Sequence, residues 1–129
     1  MSRMRVVRVH CPVSTVGFAR LQAGDGAAIA DEPALAAIVA VVRGSDVLGA
    51  IGSYRGVVEL GFGLESFVPG EGAVPTTGRV GQAEVVPCVV VKSYAAIGAD
   101  LGPVLAAMAD AHPWEVPVIE VGEVELFGV

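Results

Sequence analysis

The apolar run from Ala34 to Val42 constrains this chain more than any other stretch. Asp31 and Glu32 open it, and Arg43 and Asp46 close it. It is about half the ~20 residues needed to cross a membrane, so no membrane span is expected. Asp31-Glu32-Pro33 reads as a helix start, with Asp31 as N-cap, acidic charge in the first turn and Pro near the first helical position. The helix is expected from about Glu32 to Arg43, with Gly44 as its C-terminal cap. It is apolar almost all round, so more than one layer must cover it. The whole chain shares this bias: 53% of its 129 residues are apolar and 17% charged, against about 45–50% and about 25% in average domains. That composition excludes disorder, and the length suits one compact domain, residues 1–129. A domain of this size buries only about two-thirds of its extended-chain surface alone. The greasy helix and the valine-only stretch 89–91 therefore predict a core shared between subunits.

Around that helix the pattern reads as strands. Residues 4–11 alternate well enough for a strand that Pro12 ends. Residues 13–30, with Gly17, Gly24 and Gly26, read as an excursion with at most a short helical piece. Ser53 to Phe67 reads as a strand interrupted by Gly56, Gly61 and Gly63. Pro69 to Gln82 is a Gly/Pro-rich loop or tongue. Glu84 to Ser93 is the clearest strand, and Pro87 argues that it lies at an edge or carries a bulge. Ile97 to Ala111 reads as a helix with Pro103 tolerated in its first turn. Trp114 to Val121 reads as a strand, with a last short one at Glu123 to Phe127. This order predicts an α+β, ferredoxin-like βαββαβ sandwich with a long tongue between strands two and three. No internal repeat or linker divides it.

Eight Lys plus Arg against fourteen Asp plus Glu leave a net charge of −6. Nucleic-acid binding is disfavoured, because a phosphate-binding protein shows a basic face. Arg3, Arg5 and Arg8 read as the exposed side of a first strand. Cys11 and Cys88 sit among valines. With no secretory h-region between Met1 and Cys11, a reducing cytoplasm and buried free thiols are expected. A disulfide would require two strands to bring them together.

Two segments carry more specific information: Gly61 to Gly81, GFGLESFVPGEGAVPTTGRVG, and Ala106 to Val121, AAMADAHPWEVPVIEV. They resemble the YqfO-type domain inserted in many bacterial members of the NIF-three-like family. The matching positions are Phe67, Pro69, Gly70, Glu71, Gly72, Ala73, Pro75, Glu84, Ala107, Met108, Ala111, His112, Pro113 and Glu115. GAIGSY at Gly49 to Tyr54 is similar to that domain's approach to its second strand. The closing HPWEVPVIEV is also similar to CutA proteins, and the resemblance implies the trimeric, CutA/PII-like version of the ferredoxin-like fold. Trp114 stands where the pattern has Tyr, and Val116 where it has a second Glu. Cys88 to Val91 is apolar where the pattern is charged, and residues 13–30 have no counterpart. The family's dinuclear metal site lies in flanking halves without a match in these residues, so its proposed hydrolase chemistry is not expected here.

Each candidate site residue has a bland reading beside the chemical one. His112 stands at a helix-to-strand junction, either as a structural turn or as a ligand contact. General acid/base work lacks a partner. Glu71, between two glycines, either presents a carboxylate and backbone amides to a ligand or is a solvated turn residue. His10 and Cys11 are potential metal ligands, but adjacent strand residues point to opposite faces, and a four-ligand site needs more. GFGLESF lacks the strand-to-helix context of a dinucleotide site. The single lysine, Lys92, is not in a phosphate-loop motif, and no G-x-S-x-G is present. Trp114, Phe62 and Phe67 suit a core or an interface.

The expectation is therefore a homo-oligomer, a trimer by resemblance, acting as a non-catalytic regulatory or small-ligand-sensing module and not as an enzyme. By resemblance, its inter-subunit cleft would involve Glu71, His112, Trp114 and Glu115. The alternatives are a divalent-metal-responsive protein in the CutA manner, with His10, Cys11 or His112 as ligands, and an accessory domain of a NIF-three-like hydrolase. No residue pattern names a cofactor.

Overall fold

The computed structural model describes residues 1–129. The chain runs β1 (Ser2–Pro12), α1 (Thr15–Gln22), α2 (Ala28–Asp31), α3 (Pro33–Arg43), β2 (Glu59–Phe67), β3 (Glu84–Ala96), α4 (Gly102–Ala111) and β4 (Ile119–Leu126). The four strands form one antiparallel sheet in the order β2-β3-β1-β4. This small α+β arrangement is compatible with a ferredoxin-like sandwich.

Strand periodicity sorts the sheet into two faces. Val7, Val9 and Cys11 of β1 and Val89, Val91 and Ala95 of β3 face the helices. There they join Leu35, Ile38 and Val42 of α3 and Val104 and Met108 of α4 in one core. Their neighbours, among them Arg8, His10, Cys88, Val90 and Lys92, fall on the face that no helix covers. The α3 helix buries Ala34, Leu35, Ile38, Val39 and Val42. Its flanks meet α2 and α4, and Ala40 is exposed. The cover that the helix required comes from its own chain.

Several boundaries differ from the sequence reading, each for a local reason. The stretch 13–30 is largely helical: Ser14 caps α1 by accepting the Gly17 N–H at 2.9 Å. The start of α3 is also rearranged. Its N-cap is Glu32, not Asp31, and Glu32 makes no capping hydrogen bond there. The buried Glu32 carboxylate turns back to α1, where it accepts from the Ser14 N–H and, at 2.9 Å, from the Ser14 hydroxyl. Asp31 pairs instead with Arg20.

Strand β2 begins at Glu59, not Ser53. Gly49 takes φ +88° while packed against Val42 and Val57, and Ile51 and Tyr54 exchange hydrogen bonds in a tight turn. Strand β3 continues to Ala96 because β1 pairs with it as far as Met4. Helix α4 then starts only at Gly102, whose N–H is accepted by Asp100 Oδ1 at 3.0 Å. A single β4 replaces the two expected pieces, since Gly122 stays paired with Val6. Pro87 lies in a central strand, not at an edge. It is tolerated because β1 ends at Pro12, opposite Cys88, so only the Val13 N–H reaches the Pro87 carbonyl.

A Cβ at Gly17 would collide with the Glu32 carboxyl. Gly17→Ala is therefore expected to expel that carboxylate from its buried site. A loss of about 1–3 kcal/mol should follow, the cost of leaving buried polar groups unpaired. The urea midpoint checks this, and an unchanged midpoint would rule out the Ser14–Glu32 tie as a stabilising contact.

Candidate functional site

The tongue, Pro69 to Gln82, folds back on the turn that follows α4. The Gly81 N–H donates to the Pro69 carbonyl at 2.8 Å and closes the tongue's base. The Val74 N–H donates to Glu115 Oε1 at 2.8 Å, and the Thr76 hydroxyl donates to the Pro113 carbonyl at 2.8 Å. Between tongue and turn lies a cleft of about 350 Å3. Phe67, Pro69, Pro75, Trp114 and Val116 supply its apolar walls, and Glu65 and Glu115 its charge. The Phe67 and Trp114 rings are tilted at 59° with centroids 6.5 Å apart. Such a mixture, mostly apolar with a few convergent polar groups, is the usual make-up of a small-ligand site.

Of the four cleft candidates, Trp114 and Glu115 line this space. Glu115 also spends one carboxylate oxygen on holding the tongue. Glu71 does not line the cleft. It occupies the exposed tip of the turn Gly70–Ala73, in which Gly72 at φ +88° supplies the left-handed position and the Ala73 N–H bonds to Gly70 O.

His112 lies under the cleft, buried, with its ring against Trp114 at 5.3 Å. Its Nδ1 accepts the Trp114 N–H at 3.1 Å, which leaves the proton on Nε2 for donation to the His10 carbonyl at 2.6 Å. Both nitrogens are thus committed within the fold. His112 positions the cleft's tryptophan and fastens the end of α4 to the end of β1, and it has no lone pair left for a metal.

The remaining metal candidates separate by strand alternation. Cys11 is fully buried on the helix face, and burial raises its thiol to about 12. It is removed from any metal site on the other face. His10 is on the uncovered face, where sequence reading missed its company. One side chain from each strand falls in a diagonal row: Glu65 on β2, Cys88 on β3, His10 on β1 and Glu120 on β4. The His10, Glu65 and Cys88 ligand atoms all lie within 4.8 Å of one another. His10 Nε2 is 2.9 Å from Glu120 Oε1. Burial, then the neighbouring Glu65 carboxylate, raises the Cys88 thiol to about 11. No spacing rule could have found this row, because its members are as far apart in the chain as 10 and 120. The two cysteines remain free thiols, and they point to opposite faces of neighbouring strands.

No family model matches the sequence, and neither does any curated protein. Among solved structures, the chain is similar to a Bacillus cereus protein related to NIF3, with a TM-score of 0.65 and 23% identity. The match covers 97% of this chain and 26% of that protein's chain. The likeness shows a shared fold, and the chain spans about a quarter of that protein's length.

Two outcomes are expected from this geometry. His112→Ala should cost about 2 kcal/mol or more, since it removes two hydrogen bonds and leaves the His10 carbonyl and Trp114 amide unpaired. Matching denaturation curves for variant and parent would remove the latch role. With thiol values near 11 and 12, neither cysteine holds appreciable thiolate at pH 8. Alkylation of the native chain at pH 8 should therefore be far slower than that of the chain in denaturant. Equal rates would contradict the burial of both thiols.

Proposed function

We propose that this chain is a non-catalytic, oligomeric ligand-sensing module of the YqfO/CutA/PII-like type, built on a ferredoxin-like sandwich and working in the cytoplasm. The observation that carries the reading is the aromatic cleft between the tongue and the Pro113–Val116 turn. It offers stacking surfaces and a pair of carboxylates, and its lining residues include neither histidine nor cysteine. A flat ligand with donor groups, such as a nucleobase or an amine-bearing heterocycle, suits those walls.

Assembly is supported by what the fold leaves uncovered. Val74, Val80 and Val116 around the tongue are more than half exposed, as are Leu64 and Val85 nearby. Exposed apolar side chains such as these are available as contact surface. The half-buried Val90 and Val124 lie on the uncovered sheet face. A trimer would close that face and bring each tongue against a neighbour.

A divalent-metal-responsive role is a second reading, favoured by the convergence of His10, Glu65 and Cys88. An accessory-domain role beside a NIF-three-like hydrolase is favoured by the fold shared with about a quarter of the Bacillus cereus protein.

Light scattering is expected to give three times the chain mass of 13.1 kDa. Because Trp114 is the only tryptophan, a panel of nucleotides and heterocyclic amines should alter its fluorescence when one of them enters the cleft. Monomer mass together with unchanged emission across the panel would overturn the sensing reading. Val74→Lys is expected to lower the assembled mass while leaving the circular dichroism unchanged.

A further inference from the structure

We infer that the diagonal row on the uncovered sheet face is a binding site for a divalent cation of the zinc class. Its ligands are His10 Nδ1, a Glu65 carboxylate oxygen and Cys88 Sγ, and Glu120 orients His10 from outside. The assignment rests on the metal-responsive reading for its biological use, but its coordination chemistry stands on the geometry alone.

Four observations carry it. First, the spacing is that of ligands around an ion. Glu65 Oε2 is 3.9 Å from His10 Nδ1 and 3.9 Å from Cys88 Sγ. Tetrahedral zinc sets such ligand atoms roughly 3.3–3.6 Å apart, so Glu65 must close on each partner by about half an ångström, and the His10–Cys88 pair, within 4.8 Å, by up to about 1.3 Å. Second, hydrogen bonding accounts for only part of the convergence: the Cys88 thiol donates to Glu65 Oε2 at a long 3.9 Å, and His10 Nδ1, 3.9 Å from the same oxygen, is not hydrogen-bonded to it. An imidazole nitrogen that bonded this carboxylate would approach as His10 Nε2 approaches Glu120, at 2.9 Å.

Third, the second ring nitrogen is already held. Donation from His10 Nε2–H to Glu120 fixes the tautomer that leaves Nδ1 free to ligate, the carboxylate–histidine–metal arrangement of resident metal sites. Fourth, the donor set discriminates among ions. A thiolate, an imidazole and a carboxylate together select zinc or cobalt over magnesium and calcium, which take oxygen ligands. Cys88 gives up its thiol proton to solvent as the metal binds, and the resulting thiolate and the carboxylate balance the two positive charges.

Three protein ligands leave one tetrahedral position for water or an incoming donor atom. Because Glu65 also lines the cleft, a bound cation would lie against the cleft wall. Cys88 is well covered at 3% exposure, while the His10 and Glu65 side chains are 27% exposed in the single chain.

The test uses the full chain, stripped with a chelator and titrated with cobalt(II), then with zinc(II) in competition. One equivalent of cobalt per chain is expected, with the near-ultraviolet charge-transfer absorption of a cobalt–thiolate bond, and zinc should displace it. Cys88→Ser should abolish that absorption. His10→Ala and Glu65→Gln should each weaken cobalt binding by about tenfold or more. Glu120→Gln should keep the absorption while affinity falls by roughly 10–100-fold, as outer-shell partners do. Cys11→Ala should leave the absorption unchanged. Circular dichroism of each variant separates lost ligation from lost folding. Absence of the charge-transfer absorption in the parent chain, or its persistence in Cys88→Ser, would overturn the site. Stoichiometric binding with unchanged light scattering and Trp114 emission would uphold the site and remove the metal-responsive reading.

Discussion

The pairing of β1 with β3, with Cys11 opposite Val89 and His10 opposite Val90, is the constraint on which the rest of this molecule depends. Side chains in a strand have a period of two, so a slip of one residue would turn the apolar face of one strand away from that of the other. In the observed register Val7, Val9 and Cys11 meet α3 and α4, and the helix layer finds a continuous apolar floor. The same register puts His10 one diagonal step from Cys88. The core and the candidate cation site are two consequences of one alignment.

The end of β1 also governs the cleft. The His10 carbonyl accepts from His112 Nε2, and His112 Nδ1 in turn receives the Trp114 amide. One imidazole thereby transmits the position of a central strand to the aromatic wall. The tongue is held against that wall by Glu115 and the Pro113 carbonyl. Much of what stands out in the sequence around His-Pro-Trp-Glu is therefore spent on architecture. The two histidines divide the work: His112 is committed within the fold, and His10 keeps a ring nitrogen free.

The legible parts of the fold were those written in local chemistry. The α3 run, Pro103 in the first turn of α4 and the Gly/Pro-rich tongue all stand near where their residues predicted. Local signals also misled. The tight Ile51–Tyr54 turn and Gly56, left-handed at φ +64°, replaced the expected early part of β2, whereas Gly122 did not break β4, because Val6 holds it in the ladder. Pro87 read as an edge residue and lies in a central strand, since the length of β1, and not β3 itself, decides which backbone groups need partners. The helices in 13–30 were obscured by glycines, one of which is required for space: Gly17 makes room for Glu32.

By itself the sequence determined the alternation that sends His10 and Cys11 to opposite faces, the helical apolar run and the turn chemistry at Gly70–Ala73. Each of these is a property of neighbouring residues, fixed by backbone geometry. Only the tertiary structure decided that Glu65, Cys88, His10 and Glu120 share a row, and that Glu32 serves α1 instead of its own helix. Those contacts join residues far apart in the chain, through strand order and register that no short segment encodes.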